Sequence, residues 1–92
     1  MDAMTRIQME KNTMIDLTKH PDAPRVLRNA VDTNINPAGT WILYHQGDYS
    51  DQVGLTAVGR AAYDLAMQDK VALCQKLVSE EPRVYGYWAV VL

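Results

Sequence analysis

The chain has 92 residues, 48% of them hydrophobic and 22% charged, with nine Lys and Arg against eleven Asp and Glu. That length and apolar share fit one small globular domain with a single core and leave no room for a second. A net charge of −2 argues against a dedicated nucleic-acid binder, which would be basic overall, and against a DNA mimic, which would be far more acidic.

Cys74 is the single cysteine, so no internal disulfide can form. Residues 1–11 are polar and mixed in charge, without the apolar run of a signal peptide, and no window approaches the roughly 18 apolar residues of a membrane span. The expectation is a soluble, intracellular protein that acts as a monomer. Charge is spread evenly: residues 1–37 balance to zero and residues 38–92 to −2, so neither half is an electrostatic tail.

In residues 4–18, Ile7 and Met9, then Ile15 and Leu17, alternate with polar neighbours around a turn at Lys11-Asn12-Thr13. This predicts a hairpin, although Met4, Ile7, Met14 and Ile15 also fit a helical stripe interrupted by Lys11. Residues 22–34 predict a helix, with Asp22 as N-cap, Pro24 in the first turn and Val26, Leu27, Ala30 and Val31 at helical spacing. Asn34, Asn36 and Pro37 end it, and Ala38-Gly39 makes a turn. Residues 40–46 predict a strand with Trp41, Leu43 and His45 on one face and Ile42 and Tyr44 on the other, followed by a polar loop from 47 to 54.

Residues 56–69 predict a second helix capped by Thr56, with Val58, Ala61, Ala62, Leu65 and Ala66 as its buried stripe. Gly59 costs that helix about 1 kcal/mol relative to Ala, which implies close approach to a sheet. Residues 70–78 and 84–92 predict a hairpin joined at 79–82, with Val71, Leu73, Gln75 and Leu77 on one face and Val84, Gly86, Trp88 and Val90 together on another. The apolar last strand should be central or covered rather than a free edge. The expected fold is α+β: one two-layer domain, an antiparallel sheet with two helices packed on one face.

Catalytic and metal chemistry find little support. His45, Asp48, Ser50 and Asp51 supply a base, carboxylates and a hydroxyl, but neighbours on a loop do not make a converging site. His20, His45 and Cys74 are isolated and lack the paired spacing of a zinc site. No phosphate-loop or dinucleotide signature is present. No catalytic residue, metal or cofactor is therefore expected, and no small-molecule substrate.

Surface chemistry is more informative. Arg25 and Arg28 stand three apart on one helix with Lys19 just upstream, a cluster suited to a phosphate backbone or an acidic patch. Tyr49 is the best exposed aromatic anchor, and at least one of Trp41 and Trp88 is expected in the core. Helix, strand, short loop, helix and hairpin also approximate a winged-helix DNA binder with 71–92 as the wing. The outer face of the second helix opposes that reading, because Arg60 is outnumbered there by Asp64 and Asp69.

Three segments, TRIQMEKNTMIDLTKHPDAP (5–24), GRAAYDLAMQDKVALCQKL (59–77) and VYGYWAVVL (84–92), together resemble a phage-encoded anti-CRISPR protein of the type I-F system. The resemblance implies a non-enzymatic inhibitor in the cytoplasm of an infected bacterium. It would bind the Cas proteins of the crRNA-guided surveillance complex and keep target DNA from pairing with the guide. Acids at Asp48, Asp51, Glu80 and Glu81 would then meet Lys and Arg of Cas subunits, and Arg25 and Arg28 would meet the crRNA backbone.

Overall fold

A computed structural model describes residues 14–92. Its elements are β1 (Met14–Asp16), α1 (Ala23–Asp32), β2 (Trp41–Gly47), a 3-10 turn (Val53–Leu55), α2 (Ala57–Met67), β3 (Val71–Glu80) and β4 (Arg83–Val91). The four strands form one sheet in the order β1-β2-β4-β3. The α+β expectation holds, and β4 is interior, as its apolar sequence required.

The sheet is mixed rather than wholly antiparallel. β4 runs antiparallel to both neighbours, but β1 is parallel to β2. The long connection through α1 makes this possible, since a parallel pair needs a crossover, not a tight turn. The first strand of the hairpin expected over residues 4–18 lies outside the described residues; the second is β1.

The core forms where both helices meet one sheet face. Leu27, Ala30 and Val31 of α1 and Ala61, Ala62 and Leu65 of α2 close over Ile42, Tyr44, Val71, Tyr87, Ala89 and Val91. Pro24 lies in the first turn of α1, where its missing N–H costs nothing. Asp22 precedes the helix but makes no capping bond; its carboxylate instead accepts from Arg25 Nε at 2.5 Å. Beyond α1, Asn34 takes a left-handed φ of 58°, and Asn36 Nδ2 returns to the Ala30 carbonyl at 2.9 Å. Thr56 caps α2 as expected, its hydroxyl accepting from the Gly59 N–H at 3.0 Å.

Two local readings change. Gly59 does approach backbone closely, but that of the 3-10 turn and not of the sheet: a Cβ there would stand 1.8 Å from the Val53 carbonyl oxygen. In β2 the strict alternation breaks, because a bulge between Leu43 and His45 shifts the register against β4. His45 therefore leaves the face of Trp41 and Leu43 and stands opposite Tyr87, with ring centroids 5.2 Å apart.

Candidate functional site

Topology gathers most of the expected site residues at one end of the domain. β2 delivers the chain into the 48–52 loop, and its last residue, Gly47, pairs with Tyr85, next to the β3–β4 turn. β1 runs parallel to β2, so the chain leaves it at the same end and starts α1 there. α2 also begins there, directly after the 3-10 turn. The acidic residues Asp48, Asp51, Glu80 and Glu81, the exposed Tyr49, and the basic Lys19 and Arg25 thus share one end. Glu80 continues β3 rather than belonging to the turn.

The 48–52 loop is held in shape by its own contacts. His45 Nε2 and Asp51 Oδ2 are 2.8 Å apart, and the Asp48 N–H donates to the same carboxylate oxygen at 3.2 Å. The Tyr87 hydroxyl reaches the carbonyls of Asp48 at 2.5 Å and Tyr49 at 3.0 Å, and Gln75 Nε2 donates to the Tyr49 carbonyl at 2.9 Å. The Tyr49 ring meets Tyr85 edge-on at 5.2 Å while remaining 67% exposed. This is a fixed backbone presenting an aromatic side chain, at reduced ordering cost on binding. Burial pushes the Tyr87 phenol up from its ordinary value, with the nearby Asp51 charge adding to the effect, so Tyr87 remains a neutral hydrogen-bond donor at physiological pH.

His45 and Asp51 form the orienting half of a nucleophilic arrangement. Ser50 takes part in none of the side-chain hydrogen bonds among the described residues, so the arrangement anchors the loop. The described residues contain no group of three or more His, Cys, Asp or Glu side chains able to hold a metal ion. No helix among them is long and apolar enough to cross a membrane.

The basic residues are separated. Arg25 pairs with Asp22, while Arg28 reaches from α1 to Asp64 of α2 at 3.3 Å. Both pairs are solvent-exposed and contribute little to stability. The Arg28–Asp64 bridge borders an open cleft of about 700 Å³ lined by Gln52, Gly54, Leu55, Arg60, Tyr63 and Asp64. Leu55 and Tyr63 are both more than half exposed there. Exposed apolar and aromatic side chains ringed by arginine and carboxylate have the composition of a protein-binding surface. Leu55 and the pairing of Arg28 with Asp64 were not visible in the chain. The one available signal was an apolar residue placed directly before the Thr56 cap.

Comparison with known protein families, with characterised proteins and with solved structures finds no match for this chain.

The sheet face away from the helices carries a second set of side chains. Neither tryptophan is in the core: Trp41 and Trp88 are half-buried on this outer face, in edge contact at 5.5 Å, and Lys76 Nζ sits 4.4 Å from the Trp41 ring centroid. The helices cover the other face, where Ile42, Tyr44, Tyr87 and Ala89 supply the core instead. Among the described residues the buried Trp88 Nε1 has no hydrogen-bond partner.

Proposed function

We propose that this protein is a non-enzymatic binding module that acts by covering a surface of a larger assembly. The cleft beside the Arg28–Asp64 bridge supports this reading most directly. It combines exposed Leu55 and Tyr63 with charges of both signs, at the end of the domain where the latched loop presents Tyr49. Apolar anchors with a charged rim are what a protein partner recognises.

The target follows from the resemblance of the opening, middle and closing segments to a type I-F anti-CRISPR protein. In this reading the partner is the crRNA-guided surveillance complex in the cytoplasm of the infected host, and bound inhibitor excludes target DNA. Mixed charge at one end suits a composite surface, with Asp48, Asp51, Glu80 and Glu81 facing basic Cas side chains and Lys19 and Arg25 facing the crRNA backbone, which Arg28 would reach from beside the cleft. The test is size-exclusion chromatography of the purified type I-F complex with this protein added. Co-elution supports the reading, and separate elution at micromolar concentrations refutes it.

One observation favours a second reading, a winged-helix DNA binder. The order α1, β2, short 3-10 turn, α2 and β3–β4 hairpin is the one that reading requires, with Val53–Leu55 standing where a middle helix would be. The outer side of α2 weighs against it, since Arg60 is accompanied there by Asp64, and Asp69, expected on the same face, lies beyond the helix end in a left-handed turn, so no basic surface faces phosphate. A salt-sensitive mobility shift of free duplex DNA separates the two readings.

A further inference from the structure

We propose that β3 pairs edge to edge with β3 of a second copy of this chain, antiparallel, about a two-fold axis at Cys74. This goes beyond the binding function above and departs from the monomer suggested by the sequence.

Among the described residues, β3 ends the sheet on one side. It is ten residues long, and apart from Val71, Cys74 and Ser79 every residue of it is exposed. Leu73, Leu77 and Val78 are among the large hydrophobics left in solvent. The direction of its free backbone groups follows from the ladder. The Leu92 N–H donates to the Lys70 carbonyl at 3.0 Å, whereas Val91 turns its N–H and C=O the other way, to Thr40 and Gly39. Alternation in an antiparallel pair then points Ala72, Cys74 and Lys76 backbone groups toward β4, and those of Val71, Leu73, Gln75 and Leu77 outward. That is a row of donors and acceptors in the arrangement another strand requires.

Edges of this kind are usually guarded, by a charge or by a bulge. Here neither guard covers the row. Lys76 is the single charged residue between Val71 and Ser79, and its ammonium is drawn back over Trp41 on the sheet's own outer face. The bulge falls between Leu77 and Ser79, which leaves 71–77 in unbroken register.

The regular stretch also selects its partner. Residue 74 is the midpoint of 71–77, so an identical strand laid antiparallel about that point uses every outward group of both copies. Val71 then faces the second copy's Leu77, Leu73 faces Gln75, and Ala72 faces Lys76. About eight backbone hydrogen bonds form, and no charge meets a like charge. A two-fold axis at Lys76 would instead set two ammonium groups against each other. Self-complementarity about a two-fold axis is the requirement for a closed dimer. A pairing of this length is at the small end of stable interfaces, so the dimer should grow with concentration.

Cys74 reports on the register. Its own backbone bonds face β4, so across the new seam it forms a non-hydrogen-bonded pair with its copy. Cα atoms in such pairs are about 4.5 Å apart, within the roughly 4.4–6.8 Å range a disulfide spans. The test combines sedimentation velocity on the full chain, from low to high micromolar, with diamide treatment. Diamide accepts two electrons and two protons as two Cys74 thiols become one disulfide. We expect a dimer that grows with concentration and is trapped by diamide. Gln75→Pro removes an outward N–H without touching the β3–β4 ladder, and should leave a folded monomer that diamide no longer links. Ala72→Lys, which leaves the backbone intact, sets like charges opposite each other twice and should weaken the dimer roughly tenfold; adding Lys76→Glu should restore it. A chain that sediments as a monomer throughout, or a dimer that neither Gln75→Pro nor Ala72→Lys weakens, overturns the proposal.

Discussion

Replacing Gly59 with alanine tests the packing that builds the cleft end of the domain. Helix propensity alone makes this change favourable by about 1 kcal/mol. The structure reverses the sign. The added Cβ would stand 1.8 Å from the Val53 carbonyl oxygen and 2.6 Å from its carbon, both backbone atoms. Neither can swing aside like a side-chain tip. That carbonyl already accepts from the Thr56 N–H at 2.9 Å and from the Thr56 hydroxyl at 2.7 Å, and the same hydroxyl caps α2 through Gly59 N–H. Making room therefore disturbs the 3-10 turn and the helix cap together. Overpacking costs about 1–3 kcal/mol and loss of a cap about 1 kcal/mol, which outweigh the propensity gain. Gly59→Ala should be less stable by about 2 kcal/mol, lowering Tm by roughly 8–16 °C in a domain of this size. Urea denaturation followed by circular dichroism measures it. A variant as stable as the wild type, or more stable, would show that Val53 and Gly59 are not in contact as described.

Three further predictions concern the core, the loop and pH. Leu27 is fully buried between α1 and the sheet, so Leu27→Ala should cost about 2–5 kcal/mol in the same denaturation assay. Tyr87→Phe removes the donor to the Asp48 and Tyr49 carbonyls; it should cost about 1 kcal/mol globally and speed amide exchange across residues 48–52. Burial pushes the Tyr44 phenol up to about 12, so the folded state keeps a proton that the unfolded chain loses near pH 10. The stability this provides is complete below pH 10 and is lost as pH rises toward 12. It amounts to about 3 kcal/mol at most, and Tyr44→Phe should flatten that alkaline decline. A decline equally steep in the phenylalanine variant would contradict the buried position of the hydroxyl.

Much of the fold was legible because it rests on local rules. Val26, Leu27, Ala30 and Val31 announce one face of α1, Thr56 announces the start of α2, and the two faces of β3 follow from alternation through Val71, Leu73, Gln75 and Leu77. The parallel seat of β1 was not legible, because pairing across a crossover depends on contacts distant in sequence. The bulge in β2 was hidden too: nothing local in Leu43-Tyr44-His45 marks it, and it re-aims His45 at Asp51. Aromatic residues misled for a similar reason. Indoles are usually core, but strand alternation gives the helix-covered face to Ile42, Tyr44, Tyr87 and Ala89, and Trp41 and Trp88 lie on the opposite face. At the candidate site, Arg25 and Arg28 read as one cluster because they are three apart. The structure divides them, since Asp22 and Asp64 each claim one.

That division gives the Arg pair a clear test. Replacing both arginines with glutamine should lower the melting temperature only slightly, because each exposed pair contributes about 0–1 kcal/mol, while weakening capture of the surveillance complex; full charge reversal would add repulsion from Asp22 and Asp64. The most direct measurement of the central claim is target-DNA binding by the purified type I-F complex, incubated first with this protein. The account predicts that DNA binding falls in proportion to the inhibitor bound. Full DNA binding by a complex that carries this protein would contradict occlusion.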